Sequence, residues 1–125
     1  MQLKDIKKAI IESWDKDTCY PEYADEWTQE NPSYGQCAVT ALIIQDYFGG
    51  DLLYCKHNNH YWNRLPDNKD VDLTLEQFPR GTVICFDEVK SRDTVLNCES
   101  ALKASTLKRY KLVKKRVEDK LKKRQ

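Results

Sequence analysis

The sequence predicts an α+β domain in which a central buried helix packs on a small antiparallel sheet, with helices flanking it at both ends of the chain. Three observations carry that prediction. Residues 37–48 are apolar around much of a helical circumference, the pattern of a helix enclosed on several sides. Four strand-like segments, 51–57, 59–65, 70–75 and 81–86, follow one another rather than alternating with helices. The two ends, 1–14 and 107–121, carry apolar residues at helical spacing. With 125 residues the chain can enclose a core of its own, and residues 1–125 read as a single domain without repeat or linker.

Each element has a local reason. Leu3, Ile6, Ile10 and Trp14 are spaced to share one face of the first helix. Residues 15–33 are polar and aromatic, broken by Pro21 and Pro32, and read mostly as loop; Tyr20, Tyr23 and Trp27 suit that loop to lie on the body. In the central helix Ala38, Val39, Ala41, Leu42, Ile43, Ile44 and Tyr47 supply the apolar surface, and Gly49-Gly50 form its left-handed stop. Pro66-Asp67-Asn68 suits a three-residue hairpin loop with Asn68 left-handed, which pairs Leu65 with Lys69 and sets Trp62 opposite Asp72, whereas a two- or four-residue loop would put His60 and Asp72 on opposite faces. A short helix is expected at 91–98, and a final one in which Leu107, Tyr110, Val113, Val117 and Leu121 form an apolar stripe.

Charge and cysteine content bound the function. The 21 Lys/Arg and 20 Asp/Glu nearly cancel, which excludes a strongly basic nucleic-acid binder and an acidic disordered chain as readings of the whole. The balance hides an asymmetry: residues 107–125 hold ten basic and two acidic side chains, and the rest of the chain 11 basic and 18 acidic. The apolar stripe makes this basic segment an amphipathic helix docked on an acidic body, its outer face solvated or turned to a partner, rather than a nucleic-acid site. Cys19, Cys37, Cys55, Cys85 and Cys98 are odd in number and unpaired in spacing, residues 1–11 lack a signal-like apolar run, and the greasiest stretch, 38–44, falls far short of the ~20 residues of a membrane helix. A cytoplasmic protein with free thiols, away from membranes, is the expectation.

The chemistry gathers on three residues. Cys37 opens the central helix, where unpaired amides and the helix dipole favour a negative charge and therefore a reactive thiolate. His60 lies on the second strand and Asp72 on the third, and the hairpin register sets them diagonally on one sheet face. A thiol, a base and an orienting carboxylate compose an acyl-transfer triad. Cys55, His57 and His60 do not compose a metal site, because His60 has the other strand parity and no second Cys pair exists; no metal or cofactor is expected.

Tyr34-Gly35-Gln36-Cys37-Ala38-Val39 resembles the Tyr-Gly-Gln-Cys-Trp-Val segment around the transglutaminase nucleophile. His60-Tyr61-Trp62 resembles the His-x-Trp of transglutaminase-like domains, and Val71-Asp72-Leu73-Thr74 their Asp-x-Thr. This resemblance spans roughly residues 34–74 and implies a papain-like, transglutaminase-like fold with Cys37 as nucleophile, His60 as base and Asp72 as its orienter. Ala38 stands where transglutaminases carry Trp after the nucleophile, and their indole oxyanion donor matches no position here, Trp14 and Trp27 being upstream candidates only. A longer string is similar to the YunG-like family of small bacterial proteins. It runs from Ser13-Trp14 through Gly35-Gln36-Cys37-Ala38-Val39-Thr40-Ala41-Leu42, Gly49-Gly50, His60-Tyr61-Trp62-Asn63 and Asp72-Leu73-Thr74 to Gln77-Phe78. That likeness covers nearly the whole chain and implies no established activity.

Together these readings point to a cysteine-dependent enzyme that attacks a peptide, protein or small amide, with water or an amine as acceptor. The Cys37 amide is the expected oxyanion donor, with Gln36 beside it, and Trp62 is core or cleft wall. The contrasting class is a non-catalytic interaction module that keeps the fold. A reachable Cys37 sulfur favours the enzyme, and a walled-in sulfur favours the module.

Overall fold

The computed structural model describes residues 2–123, so Met1 of the expected first helix and Arg124 and Gln125 of the basic segment lie outside the described residues. Helix α1 (Leu3–Ser13) opens on a reciprocal cap between Gln2 and Asp5 and buries Ile6, Ala9 and Ile10. The expected loop that follows carries two short 3₁₀ turns, Lys16–Thr18 and Pro21–Glu26. Helix α2 (Cys37–Phe48) has the boundaries expected of it. It ends at Gly49, whose amide donates to Gln45 O at 2.8 Å. Gly50 turns the chain into the sheet at φ +85, and a Cβ there would sit 2.2 Å from Arg64 O, so only glycine lets the two backbones approach this closely.

Strands β1 (Asp51–Cys55), β2 (His60–Arg64), β3 (Asp70–Val71) and β4 (Glu88–Lys90) form an antiparallel sheet in the order β3-β2-β1-β4. The β2–β3 hairpin has the expected register: Arg64 pairs with Asp70 and Asn63 with Val71, Leu65 N–H donates to Lys69 O at 2.8 Å, and Asn68 is left-handed at φ +70.

Two strands differ from expectation. The third stops at Val71 instead of running to residue 75, because the Asp72 carboxylate accepts from Thr74 N–H and bends the chain into a turn. Residues 81–86 form no strand. The pairing edge of β1 is taken further along by Glu88–Lys90, anchored where Asp87 N–H donates to Tyr54 O and the Asp87 carboxylate accepts from Lys56 N–H. Helices α3 (Arg92–Asn97), α4 (Glu99–Lys103) and α5 (Thr106–Lys123) complete the chain. The first of these matches the expected short helix, with Ser91 as its N-cap at 3.1 Å from Thr94 N.

Helix α2 is enclosed between the sheet and helix α5, while α1 packs on α5 and adds Ile6, Ala9 and Ile10 to the same core; Val39, Ala41, Leu42, Ile43 and Ile44 are sealed from solvent. Its polar groups are matched within that setting: Asn63 of β2 donates to Ala41 O at 2.8 Å, and the Trp14 indole donates to Thr40 Oγ1 at 3.0 Å. Tyr110, Val113, Val117 and Leu121 of α5 join the same core, and each buried Val or Leu contributes about 1.5–3 kcal/mol. Leu107 departs from the expected stripe, being 40% exposed, while Arg109 on the opposite flank is only 6% exposed. The flank carrying Arg109 turns inward because its guanidinium reaches the carbonyls of Thr18 and Ala104. The outer basic face partly balances the acidic body, through Arg116 on Asp17 at 2.6 Å and Lys114 on Asp46 at 3.4 Å. Among the described residues no helix is long and apolar enough to cross a membrane.

Candidate active site

Cys37 is the first residue of α2, so its amide and that of Ala38 belong to the first turn and have no intrahelical acceptor. Its approach is set by Gly35, left-handed at φ +71, where a Cβ would lie 2.5 Å from Cys19 Sγ and 2.9 Å from Tyr20 N. The chain before the helix is therefore pressed directly onto the loop that carries Cys19 and Tyr20. Gln36 is fully buried. Its amide donates to Asp15 O at 3.1 Å, and its oxygen accepts from Thr18 Oγ1 at 2.8 Å. The side chain thus braces the turn at Lys16–Thr18 against the helix start, a supporting position with its polar atoms engaged away from the thiol.

His60 is the first residue of β2 and is completely buried. Its Nε2 lies 2.6 Å from Asp72 Oδ2. The other carboxylate oxygen of Asp72 accepts from the Thr74 amide at 3.1 Å and hydroxyl at 3.3 Å, so the turn that ends β3 is also what aims Asp72. The imidazole is held by aromatic rings on two sides, stacked on Trp62 at 5.8 Å and met edge-on by Phe78 at 4.9 Å. Trp62 is itself fixed by donating to Asp70 Oδ2 at 3.1 Å. Trp62 is therefore core beside the imidazole and holds its ring plane.

By alternation His60 sides with Trp62 and Leu53, whereas Asn63 on the other face reaches α2. What brings His60 to Cys37 is its place at the beginning of the strand, where the helix also begins. Cys37 Sγ lies 4.0 Å from the carbonyl of Asn59, a residue left-handed at φ +47. Since Nε2 is committed to Asp72, the nitrogen left for the thiol is Nδ1, which is buried and has no hydrogen-bond partner among the described residues. Burial by itself disfavours the imidazolium, but Asp72 and Cys37 together outweigh it and push the His60 pKa up to about 9. At neutral pH the ring is thus charged, a cation between a carboxylate and a thiol.

Cys37 is half-buried and opens on a cavity of about 180 Å³. Tyr20, Tyr34, Tyr61 and Phe78 wall it, and α5 contributes Arg109. Gln77 closes the near rim by accepting from the Gly35 amide at 3.1 Å. By contrast, Cys19 is buried, and that burial pushes its thiol up to about 11 despite nearby Arg109. Cys55 is sealed in the small cluster with Leu53 and Trp62. No group of His, Cys, Asp and Glu able to hold a metal is found among the described residues. The sequence reading did not single out Arg109 or the tyrosines as cleft residues. Nothing in a run of lysines and arginines marks the one that faces inward, while Gln77-Phe78 at least belonged to the family-like string.

Fold and site together define a small α+β domain with a four-stranded antiparallel sheet, in which a helix-borne thiol meets a strand-borne His–Asp pair. The chain belongs to the YunG protein family, whose profile matches residues 2–122. It is 36% identical over 78 residues to the uncharacterized protein YunG of Bacillus subtilis (strain 168), a match covering 61% of this chain and 63% of that protein. No solved structure matches.

Proposed function

We propose that this protein is a cysteine-dependent acyl-transfer enzyme with a papain-like, transglutaminase-like site. The observation that carries the reading is a single imidazole bonded at Nε2 to Asp72 and left with Nδ1 for a half-buried thiol at a helix start. Cys37, as thiolate, attacks the carbonyl carbon of an amide, and the oxyanion that forms is met by the free amides of the first turn of α2. The C–N bond breaks as the His60 imidazolium gives its proton to the leaving amine, leaving a thioester on Cys37. Neutral His60 then takes a proton from water or an incoming amine, which attacks the thioester carbonyl. The thiolate leaves, and the acid or new amide departs. Asp72 is a positioning residue that holds the ring orientation and stabilises its charge. The five unpaired thiols suit a reducing compartment such as the cytoplasm.

p-Nitrophenyl acetate tests the reading because it supplies a reactive acyl group without requiring the natural substrate. Cys37 should acquire the acetyl group as a thioester, visible by mass spectrometry, with a burst of nitrophenol. His60→Ala should remove the burst, and hydroxylamine should capture the acetyl. Acetylation of Cys37 no faster than of exposed Cys85 would overturn the enzyme reading and leave an interaction module.

A further inference from the structure

We infer that the cleft beside Cys37 binds a substrate carrying a carboxylate, and that Arg109 is the seat for that group. The inference rests on the acyl-transfer reading for the role of Cys37 and extends it to the substrate.

The chain is one-third charged, yet among the described residues lining the cavity Arg109 is the only Lys, Arg, Asp or Glu, and the one other group there that carries charge in the acyl-transfer reading is the Cys37 thiolate, which that reading pairs with the His60 imidazolium. Its side chain is held rigidly: Nε donates to Ala104 O at 2.9 Å, and the two terminal nitrogens donate to Thr18 O at 3.1 Å and Thr106 Oγ1 at 3.3 Å. These three bonds use three of the five N–H groups of a guanidinium, and all three acceptors are neutral. The guanidinium also lies 6.0 Å from the centre of the Tyr20 ring. No carboxylate among the described residues pairs with it, although Arg116, Lys114 and Lys115 on the same helix pair with Asp17, Asp46 and Asp119. A buried cation without a counter-charge is costly. Anchoring α5 accounts for the three bonds but not for leaving the guanidinium without a carboxylate at the wall of a cavity.

One N–H on each terminal nitrogen of Arg109 remains for an anion. Arginine presents paired N–H groups that match a carboxylate, and burial strengthens such a bond. Tyr20, Tyr34, Tyr61 and Phe78 offer ring faces to an apolar group next to it. The cavity, about 180 Å³, is below the roughly 300–1,000 Å³ of pockets for drug-sized ligands, so it takes one side-chain-sized unit. The substrate class is therefore a small amide bearing a carboxylate and an apolar or aromatic group, with its carbonyl at Cys37.

Phenylacetate and its neutral counterpart phenylacetamide are the probes. Phenylacetate should raise the melting temperature of the full chain, and should slow iodoacetamide labelling of Cys37 at concentrations about tenfold or more below those needed for phenylacetamide. R109Q should erase the difference, and R109K should restore part of it. Equal effects of the two probes on the intact protein overturn the inference without any variant. A carboxylate preference that persists in R109Q also overturns it, because the attracting charge is then His60. Slower labelling of R109Q with no change in probe preference would make Arg109 a support for the thiolate and would equally overturn it. An unreactive Cys37 alongside a selective melting shift would instead sink the acyl-transfer reading and leave the anion seat standing.

Discussion

Asp72 Oδ2 and His60 Nε2 are 2.6 Å apart, and the same carboxylate is tied by its other oxygen to Thr74. One residue thus ends a strand, turns the chain and holds an imidazole.

This pairing has a pH signature. The unfolded-state His60 titrates near 6.5, and the folded-state value is about 9, with burial opposing the rise and Asp72 and Cys37 producing it. A group whose folded pKa is raised stabilises the fold fully below the unfolded pKa, and that contribution fades as pH climbs through the folded one. The melting temperature should therefore fall between about pH 6.5 and 9, and Asp72→Asn should be less stable below pH 6.5 with a flatter profile across that window. A profile in Asp72→Asn as steep as in the wild type would show that the coupling is not with Asp72.

Reactivity gives a second expectation. At pH 6 the His60 imidazolium is available to pair with a thiolate at Cys37, so iodoacetamide should label Cys37 about tenfold or more faster than exposed Cys85. Buried Cys19 and Cys55 should lag behind both. His60→Ala should cancel the advantage. Equal rates for Cys37 and Cys85 would return Cys37 to the status of an ordinary thiol.

The junction between α2 and β1 is expected to be intolerant. Ala at Gly50 must adopt a left-handed backbone and put its Cβ 2.2 Å from Arg64 O, a backbone atom that cannot swing away. Overpacking and left-handed strain together should cost about 2–5 kcal/mol, read by urea denaturation. A change below about 0.5 kcal/mol, the usual range of a neutral surface substitution, would mean that the two chains separate easily there.

Helix α5 should be indispensable to the fold. Removing residues 107–125 takes Tyr110, Val113, Val117 and Leu121 out of the core, and the truncated chain should fail to melt cooperatively. Val113→Ala, a milder probe, should cost about 1–2 kcal/mol. A nucleic-acid role predicts the reverse: a well-folded truncation, and salt-sensitive DNA or RNA binding by the intact chain.

Much of this arrangement was legible in the residues. The apolar girdle of Ala38–Ile44 marked the central helix, and Pro66-Asp67-Asn68 allowed a register that brings Asp72 to the His60 face. Strand β4 was not legible, because Glu88-Val89-Lys90 is a short exposed edge whose pairing comes from Asp87 hydrogen bonds rather than from an apolar pattern. The extent of β3 was misread because Asp72 closes a local turn with Thr74, a competition between side chain and ladder that alternation does not register. Arg109 was hidden for a different reason. Leu107 and Arg109 flank the same stripe, and which of them turns inward is decided by carbonyls of Thr18 and Ala104 elsewhere in the chain.

The inward turn of Arg109 also bears on the order of assembly. The thiol at Cys37, the strand with His60 and the turn with Asp72 all leave the ribosome before α5 does, and a domain folds as a unit, here only once the helix that closes its core has emerged. The wall that gives the cavity its charge is the last helix of the described chain to be synthesised, and it also closes the core. A nascent chain therefore carries its nucleophile before it carries the chamber around it, and the two become one site only when the final helix docks.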